Sequence, residues 1–165
     1  MIDFIKTRDV KDPIRNVKEN AGIDFFIPEK TEELVNEILE FNSDIAIVDN
    51  KIYIPPHSDI LIPAGIKSKF DQNLALISAN KSGIATKNKL IYGAEVIDSG
   101  YQGEWHFHLI NWSSESQIIE FGQKIIQFLP VVISNELHNI CNCSEEEFFT
   151  VKTERGEGGF GSSGV

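Results

Sequence analysis

Asp98 and Tyr101 stand three residues apart in a segment that combines strand-forming and turn-forming residues. Asp98 follows the apolar pair Val96 and Ile97 and precedes a Ser-Gly turn, so its carboxylate can project from a hairpin. A carboxylate placed in this way can act as a general base, and an aromatic ring beside it can support a sugar. The alternative is a turn-initiating Asp followed by an ordinary strand Tyr.

A second segment places a cation, a hydroxyl and a glycine in succession at Lys81, Ser82 and Gly83. Glycine allows close approach to the backbone, serine and the backbone amides donate hydrogen bonds, and lysine supplies positive charge. The segment therefore predicts a small anion-binding turn. The same three residues occur in many surface turns, so on their own they indicate a phosphate site only weakly.

Gln127 is a polar side chain within the largely apolar run of residues 125–133, which also contains Pro130. The run is typical of a strand that is buried on both faces. A buried glutamine needs hydrogen-bond partners, so Gln127 has either a structural role or a ligand to face. The sequence leaves both interpretations open.

The end of the chain is rich in glycine and serine, yet it contains Arg155 and Phe160. Arg155 offers a planar fork for phosphate oxygens, Ser162 and Ser163 supply hydroxyls, and Gly161 leaves backbone accessible. A tail of this composition cannot bury enough surface to order by itself, so we expect it to be flexible and either dispensable or ordered by a ligand. A Gly-Ser cloning remnant would not account for Arg155 or Phe160.

The elements that must position these residues are mostly short strands. Apolar runs at residues 52–56 and 59–63 are punctuated by prolines, and in residues 105–109 apolar side chains alternate with His106 and His108. Strands this short, separated by turn residues, predict a β-sandwich or barrel. An ordinary polar strand face is favoured over a histidine metal site, because no third ligand is evident.

Residues 30–42 are the exception and predict one short helix inserted into this β framework. Thr31 can cap the helix, Glu32 and Glu33 favour its first turn, and Leu34 and Ile38 form an apolar stripe. We interpret the stripe as core packing rather than as a partner site.

Composition sets the broad class. The 165 residues fit one domain, and 41% hydrophobic residues are enough for a core. The net charge of −10 disfavours binding to polymeric nucleic acid. No apolar run approaches the roughly 18 residues of a membrane span, and the N-terminal residues do not resemble a secretory signal, so a cytoplasmic location is expected. Cys141 and Cys143, even with His138 nearby, are interpreted as reduced thiols because four-ligand spacing is absent.

These segments, together with Ala-Gly-Ile-Asp-Phe at residues 21–25, occur in the order found in the trimeric dUTPase family, which this sequence resembles. The most specific motifs are Val-Ile-Asp-Ser-x-Tyr-x-Gly-Glu and the terminal Arg-Gly-x-Gly-Gly-Phe-Gly-Ser-Ser-Gly. The resemblance implies an all-β fold, a jelly-roll-like β-clip subunit. On this basis residues 1–154 would form the β domain, with the helical insertion at about 30–42, and residues 155–165 a flexible tail that closes over substrate.

The resemblance implies hydrolysis of dUTP to dUMP and pyrophosphate in a homotrimer whose subunits share active sites. Asp98 would activate the water that attacks the α-phosphorus, and Tyr101 would stack under the deoxyribose and exclude a 2′-hydroxyl. Backbone groups of Val96 and Ile97, and others near His106, would read the uracil edge.

The phosphate groups would be held by residues from other subunits. The resemblance assigns Lys81, Ser82 and Gly83 to one neighbour, with Gln127 assisting. The tail of a third subunit would place Phe160 over the base and Arg155, Ser162 and Ser163 around the γ-phosphate. Mg²⁺ would bridge the phosphates, and Asp24 would act through the water shell of that metal.

The sequence also departs from the family. First, Asn80 and Lys81 replace the usual Pro-Arg, which keeps the positive charge but loses the bidentate geometry of arginine. Second, the span from Ser82 to Asp98 is shorter than in familiar members of the family. The second departure bears on uracil selectivity more than on pyrophosphatase chemistry. One alternative is the related dCTP deaminase, but its catalytic Glu would fall at His108 and it lacks this tail. The other alternative is a non-catalytic protein-binding module that keeps the fold.

Overall fold

The computed structural model describes residues 1–134 and residue 144. The described residues form twelve strands and two helices. In chain order these are β1 (Ile2–Lys6), β2 (Ile23–Phe26), α1 (Glu32–Phe41), β3 (Ala46–Val48), β4 (Lys51–Ile54), β5 (Asp59–Pro63), β6 (Ile66–Phe70), β7 (Leu74–Ala79), α2 (Ser82–Lys87), β8 (Leu90–Tyr92), β9 (Val96–Asp98), β10 (His106–Asn111), β11 (Gln117–Glu120) and β12 (Lys124–Val132). The predicted all-β class is confirmed.

The strands pair antiparallel in four small sheets with strand orders β1-β6, β5-β10-β8, β11-β4-β3 and β2-β12-β7-β9. Most neighbours in these sheets are distant in sequence, as expected of a jelly-roll-like fold rather than a set of local hairpins. No helix among the described residues is long and apolar enough to span a membrane.

The core lies between these sheets and contains a cluster of aromatic rings. Phe25 and Phe128 each pack against Trp105 with ring centroids 5.1 Å apart, and Phe4 packs edge-on against Trp105 at 5.8 Å. Along β10 the predicted alternation is confirmed, because Phe107 and Leu109 are buried whereas the two histidines are only partly buried. This core holds Trp105, the residue that immediately precedes β10.

The predicted helix is present as α1. Thr31 caps it, because the Thr31 hydroxyl accepts a hydrogen bond from the Leu34 amide at 3.1 Å. Leu34 and Ile38 are fully buried, so the apolar stripe packs into the core as expected. At the other end, the Asn42 side chain donates to the Leu61 carbonyl and accepts from the Leu61 amide at 3.0 and 2.9 Å. The helix is therefore held to β5 at its C-terminus.

The sheet β2-β12-β7-β9 has one core face and one outer face. Paired residues of antiparallel strands share a face, and three successive rows of such residues lie on the outer face. These rows are Asp24, Gln127 and Ala79, then Leu129, Ile77 and Val96, then Val131, Ala75 and Asp98. The outer face is thus an apolar strip with Asp24 and Gln127 at one end and Asp98 at the other.

The prediction that residues 125–133 are buried on both faces was correct only for the first half of β12. Ile125, Ile126 and Phe128 are buried, but Val131 and Val132 are 40% and 78% exposed. The difference arises because β12 pairs with β2 only as far as Phe128, and its last residues continue beyond that neighbour.

Candidate active site

The phosphate-site candidates gather around one buried carboxylate, Asp24. The Asp24 carboxylate accepts hydrogen bonds from Lys81 Nζ at 2.5 Å and lies 3.1 Å from Lys124 Nζ. Burial disfavours the charge of Asp24, but the hydrogen bonds from the two ammonium groups outweigh it and lower the pKa of this carboxyl below its ordinary value. Asp24 is therefore ionised at neutral pH and fixes both lysine side chains.

Lys81 precedes a helix where the sequence predicted a simple turn. It is the N-cap residue of α2, which begins at Ser82, and Lys81 makes no side-chain capping bond. Ile84 is buried and anchors the helix to the protein, which explains why the segment is helical. The first-turn amides of α2 have no partner within the helix and are oriented as donors. The charge of Lys81 and these backbone donors therefore lie side by side, and their use for a phosphate group stays a prediction.

Two adjoining concavities of about 370 and 380 Å³ meet at Lys81 and Gln127. The first carries three lysines on an otherwise acidic protein, and the second contains Asp24. The first concavity is lined by Lys81, Ser82, Gly83, Ile84, Lys87, Asn88, Lys124 and Gln127. The second is lined by Asn20, Ala21, Gly22, Asp24, Lys81, Gln127 and Leu129.

Gln127 has a structural role, and its role toward a ligand stays a prediction. Its amide donates to the Asn80 carbonyl at 3.2 Å, which is a structural role at the end of β7. A Cβ at position 22 would lie 2.5 Å from Gln127 Oε1, so Gly22 leaves the space that this side chain occupies. Gln127 also borders both concavities, where it can meet a ligand.

Lys124 is a candidate site residue that the sequence analysis did not predict. Strict strand alternation places residues 124 and 127 on opposite faces, but β12 has a bulge between Lys124 and Ile126. The bulge leaves Ile125 without a partner on β2 and returns Lys124 to the face of Asp24 and Gln127. The signal that could have revealed it is the adjacent apolar pair Ile125 and Ile126, since both are buried.

The bulge is held by a buried tyrosine. The hydroxyl of Tyr92 donates a hydrogen bond to the carbonyl of Ile125, the residue that lacks a partner on β2. Burial raises the pKa of the Tyr92 phenol well above its ordinary value, so it stays protonated and able to donate. The position of Lys124 is therefore fixed from the core side.

Asp98 lies at the end of β9 with its side chain exposed, as predicted for a carboxylate projecting from a hairpin. The Tyr101 amide donates to the Asp98 carbonyl at 3.1 Å, which closes the turn between them. The Tyr101 hydroxyl donates to the Glu104 carbonyl at 2.9 Å, and the ring is 43% exposed. A Cβ at position 103 would lie 2.4 Å from the Tyr101 hydroxyl oxygen, so the ring depends on Gly103.

The other residues predicted to lie near the uracil base are found around this hairpin. Val96 is 56% exposed and shares the outer face with Asp98, whereas Ile97 packs on the core. His106 starts β10, and its Nδ1 donates to the Glu104 carbonyl at 3.2 Å. Since a carbonyl oxygen can only accept, Nδ1 carries the ring proton in this arrangement.

The two ends of the candidate site do not meet within one protomer. Asp98 pairs with Ala75 and Gln127 pairs with Ala79, four residues further along β7. A strand rises about 3.3 Å per residue, so these rows are about 13 Å apart, and Lys81 lies beyond the second row. Asp98 therefore lies at one end of one sheet face, and the group of Lys81, Lys124 and Asp24, called the Lys81 cluster below, lies at the other end.

Several predicted residues lie outside the described part of the chain. These are Arg155, Phe160, Gly161, Ser162 and Ser163 of the tail, and Cys141, Cys143 and His138. Within residues 1–134, no group of three or more His, Cys, Asp or Glu side chains is arranged to hold a metal ion.

Comparison with known proteins identifies the family. A family model of dUTPase matches residues 44–164. The deoxyuridine 5′-triphosphate nucleotidohydrolase of Actinobacillus pleuropneumoniae is 38% identical over 122 residues, which cover 72% of this chain and 77% of that protein. The corresponding protein of Haemophilus influenzae is also 38% identical, over the same shares of each chain.

Solved structures show the same fold. The dUTPase of Staphylococcus bacteriophage 80alpha with dUpNHpp superposes with a TM-score of 0.75, at 22% identity, over 100% of this chain and 99% of that chain. A mutant dUTPase from phage phi11 of S. aureus, which coordinates a structural Mg(II) ion, superposes with a TM-score of 0.63. It is 18% identical, and the match covers 90% of this chain and 99% of that chain. The match to the family model and the 38% identity to the relatives named above show that the chain belongs to the dUTPase family.

Proposed function

We propose that this protein hydrolyses dUTP to dUMP and pyrophosphate at sites shared between the subunits of a homotrimer. The observation that carries the proposal is the placement of Asp98 and the Lys81 cluster at opposite ends of one exposed sheet face. The relatives named above support the substrate. The substrate is a small nucleotide rather than a nucleic-acid polymer, in keeping with the net charge of −10, and the expected location is the cytoplasm.

At the phosphate end, Lys81 and Lys124 supply charge, and Ser82 and the amides of α2 supply hydrogen bonds. A Cβ at Gly83 would meet no atom within 4 Å, so packing within the described protomer does not require a glycine there. An open backbone at this position suits close approach by a phosphate group. Gln127, which lines both concavities, assists.

At the other end, Asp98 takes the proton of the attacking water, which then forms a bond to the α-phosphorus while the pyrophosphate oxygen leaves. Its exposure allows a water and a substrate to reach it, and phosphoryl chemistry of this kind depends on position and charge compensation. Tyr101 supports the deoxyribose. Main-chain groups of Val96 and Ile97 and those near His106 meet the uracil edge. The tail residues Arg155, Phe160, Gly161, Ser162 and Ser163 complete the site.

The apolar strip between the two ends supports the sharing of sites between subunits. Ile77 and Leu129 are only partly buried in the protomer, and Val96 is exposed. A second subunit packed on this strip would bury them and would bring its own phosphate end toward Asp98. Contact between different ends of equivalent subunits closes into a ring when the rotation permits, and a trimer is such a ring.

Mg²⁺ fits this site through the substrate rather than through direct protein ligands. Both oxygens of Asp24 already face lysine ammonium groups, which compete with direct coordination of a metal ion. Mg²⁺ keeps several waters and is commonly held by substrate phosphates. Asp24 would then contact the ion through water, as predicted, and the ion would offset the charge of the phosphates.

A pyrophosphate-release assay with dUTP, UTP, dCTP and dTTP in the presence of Mg²⁺ tests the reaction. The same assay tests the selectivity for the nucleobase and for the sugar. We expect turnover of dUTP in clear preference to the others. Ammonia release from dCTP would instead assign a deaminase. A folded trimer that turns over none of the four nucleotides would assign the non-catalytic protein-binding module.

Mixed trimers test the sharing of sites. Asp98→Asn and Lys81→Ala subunits should each be nearly inactive alone, but co-expression should restore about one quarter of wild-type activity if subunits mix at random. Such mixing pairs an intact Asp98 from one subunit with an intact Lys81 from its neighbour. The activity of purified mixed trimers checks this result. A mixture no more active than its two parents would place both residues of one site in the same subunit.

Tyr101→Ala should admit UTP. Without the ring, the 2′-hydroxyl meets no obstacle, so the ratio of kcat/KM for dUTP over UTP should fall by about tenfold or more. Trp112→Ala, which removes a 54% exposed aromatic side chain elsewhere, is the control. Unchanged rejection of UTP by the Tyr101 variant would mean that the sugar is selected by other residues.

A further inference from the structure

Two side chains of α1 reach toward the segment that carries Tyr101. Glu37 and Phe41 are four residues apart and therefore lie on the same side of the helix. Glu37 is bonded to Arg8, and the Phe41 ring packs edge-on against the His106 ring with centroids 5.7 Å apart. Both contacts converge on Glu104, which lies between Tyr101 and His106 in sequence.

The Glu104 carboxylate is the first point of convergence. Arg8 donates to it from Nε and from a terminal nitrogen at 2.7 and 3.1 Å, and the Gly65 amide donates to it at 2.7 Å. Burial disfavours the charge, but these donors outweigh it and lower the pKa of the Glu104 carboxyl. The same guanidinium donates to Glu37 at 2.5 Å, so Arg8 links α1 to residue 104.

The Glu104 carbonyl is the second point of convergence. It accepts from the Tyr101 hydroxyl and from His106 Nδ1, at 2.9 and 3.2 Å. One backbone oxygen therefore fixes the ring of Tyr101 and the ring against which Phe41 packs. Movement of Glu104 would displace both aromatic side chains.

Helix α1 is anchored to the rest of the protein by buried side chains and by hydrogen bonds. Leu34 and Ile38 are fully buried, and Asn42 is bonded to the backbone of β5. Strand β5 pairs with β10, and Pro63 lies opposite His106. The helix is thus fixed to the sheet from which residues 101–106 emerge, and its outward contacts are made from a rigid element.

We infer that the α1 insertion positions Tyr101 for selection of the sugar. Glu37 and Arg8 act through the Glu104 carboxylate, and Phe41 acts through His106; all three are positioning residues. The inference rests on the proposed function, because it assigns to the insertion a share in the discrimination between deoxyribose and ribose. Loss of these contacts leaves Tyr101 in place but less well fixed, so ribonucleotides are rejected less strongly.

The test compares two double variants of α1. Glu37→Ala with Phe41→Ala removes both outward contacts, while Arg8 stays paired with Glu104 and the buried stripe is intact. Leu39→Ala with Glu40→Ala is the matched control, because both of these side chains are exposed on the same helix. We expect the first variant alone to lower the dUTP over UTP ratio of kcat/KM, by about threefold to tenfold.

Hydrogen–deuterium exchange of the peptide that covers residues 101–106 gives a readout independent of turnover. Exchange should be faster in the Glu37/Phe41 variant than in the wild type, with the control unchanged. If the exchange rate and the substrate ratio both match the control, the inference is wrong. If exchange rises but the wild-type protein does not turn over dUTP, the proposed function fails while the structural link stands.

A lower melting temperature with an unchanged substrate ratio would show that α1 contributes only to stability, which also overturns the inference. Arg8→Lys provides a second test. It keeps the positive charge but cannot bond Glu37 and both oxygens of Glu104 with one planar group. We expect a fall in the substrate ratio in the same direction as for the double variant.

Discussion

Replacing Asp98 by asparagine is expected to lower the kcat of dUTP hydrolysis by about 10³-fold, within the range usual for loss of a general base. Asparagine has nearly the same shape but cannot accept a proton from water. Because the side chain is exposed at the end of β9, the substitution should leave folding unchanged. Pyrophosphate release with Mg²⁺ measures the loss, and calorimetric titration with a non-hydrolysable dUTP analogue measures the binding that should be retained.

Glu95→Gln is the matched control for this variant. Glu95 is an exposed carboxylate three residues before Asp98, so its replacement removes a charge of the same sign from the same hairpin. We expect near wild-type turnover from this control. An active Asp98→Asn enzyme would assign the base to another residue, and equal losses in both variants would indicate an effect of charge alone.

Removal of residues 155–165 is expected to leave a trimer that binds dUTP weakly and turns it over about 10²-fold more slowly, as when preorganised phosphate donors are lost. The deleted segment contains Arg155, Phe160 and the hydroxyls of Ser162 and Ser163. Light scattering after gel filtration measures the assembly, and kcat/KM for dUTP measures the chemistry.

Deletion of Gly164 and Val165 alone is the control for this truncation, since it keeps every tail residue to which we assign a contact. Full activity in the longer truncation would exclude the tail from the mechanism. Loss of the trimer in that truncation would show that the tail serves assembly.

The parts of the fold that depend on local pattern were predictable from the sequence. Trp105, Phe107 and Leu109 are buried and the two histidines between them are partly buried, as their alternation predicted. Thr31 caps α1 where a capping residue was expected. Both features are decided by neighbouring residues. They therefore need no knowledge of which strands pair.

The parts that depend on pairing between distant strands were not predictable. The bulge in β12 shifts its register against β2 and brings Lys124 beside Asp24, although the odd spacing from Gln127 points the other way. The helical form of residues 82–87 goes together with the burial of Ile84, which the short Lys-Ser-Gly motif does not reveal. The motifs predicted Lys81 as a site residue, but tertiary contacts determine which lysines lie beside Asp24.

The proposed division of the site between the subunits of a trimer has a genetic consequence. A chain that carries damage at both ends would, once incorporated into a ring, disable a neighbour's reaction centre as well as its own. Its effect would be dominant over a normal copy, whereas damage confined to one end would be partly masked. Dosage experiments with doubly defective subunits would therefore produce a stronger defect than the simple dilution of healthy chains.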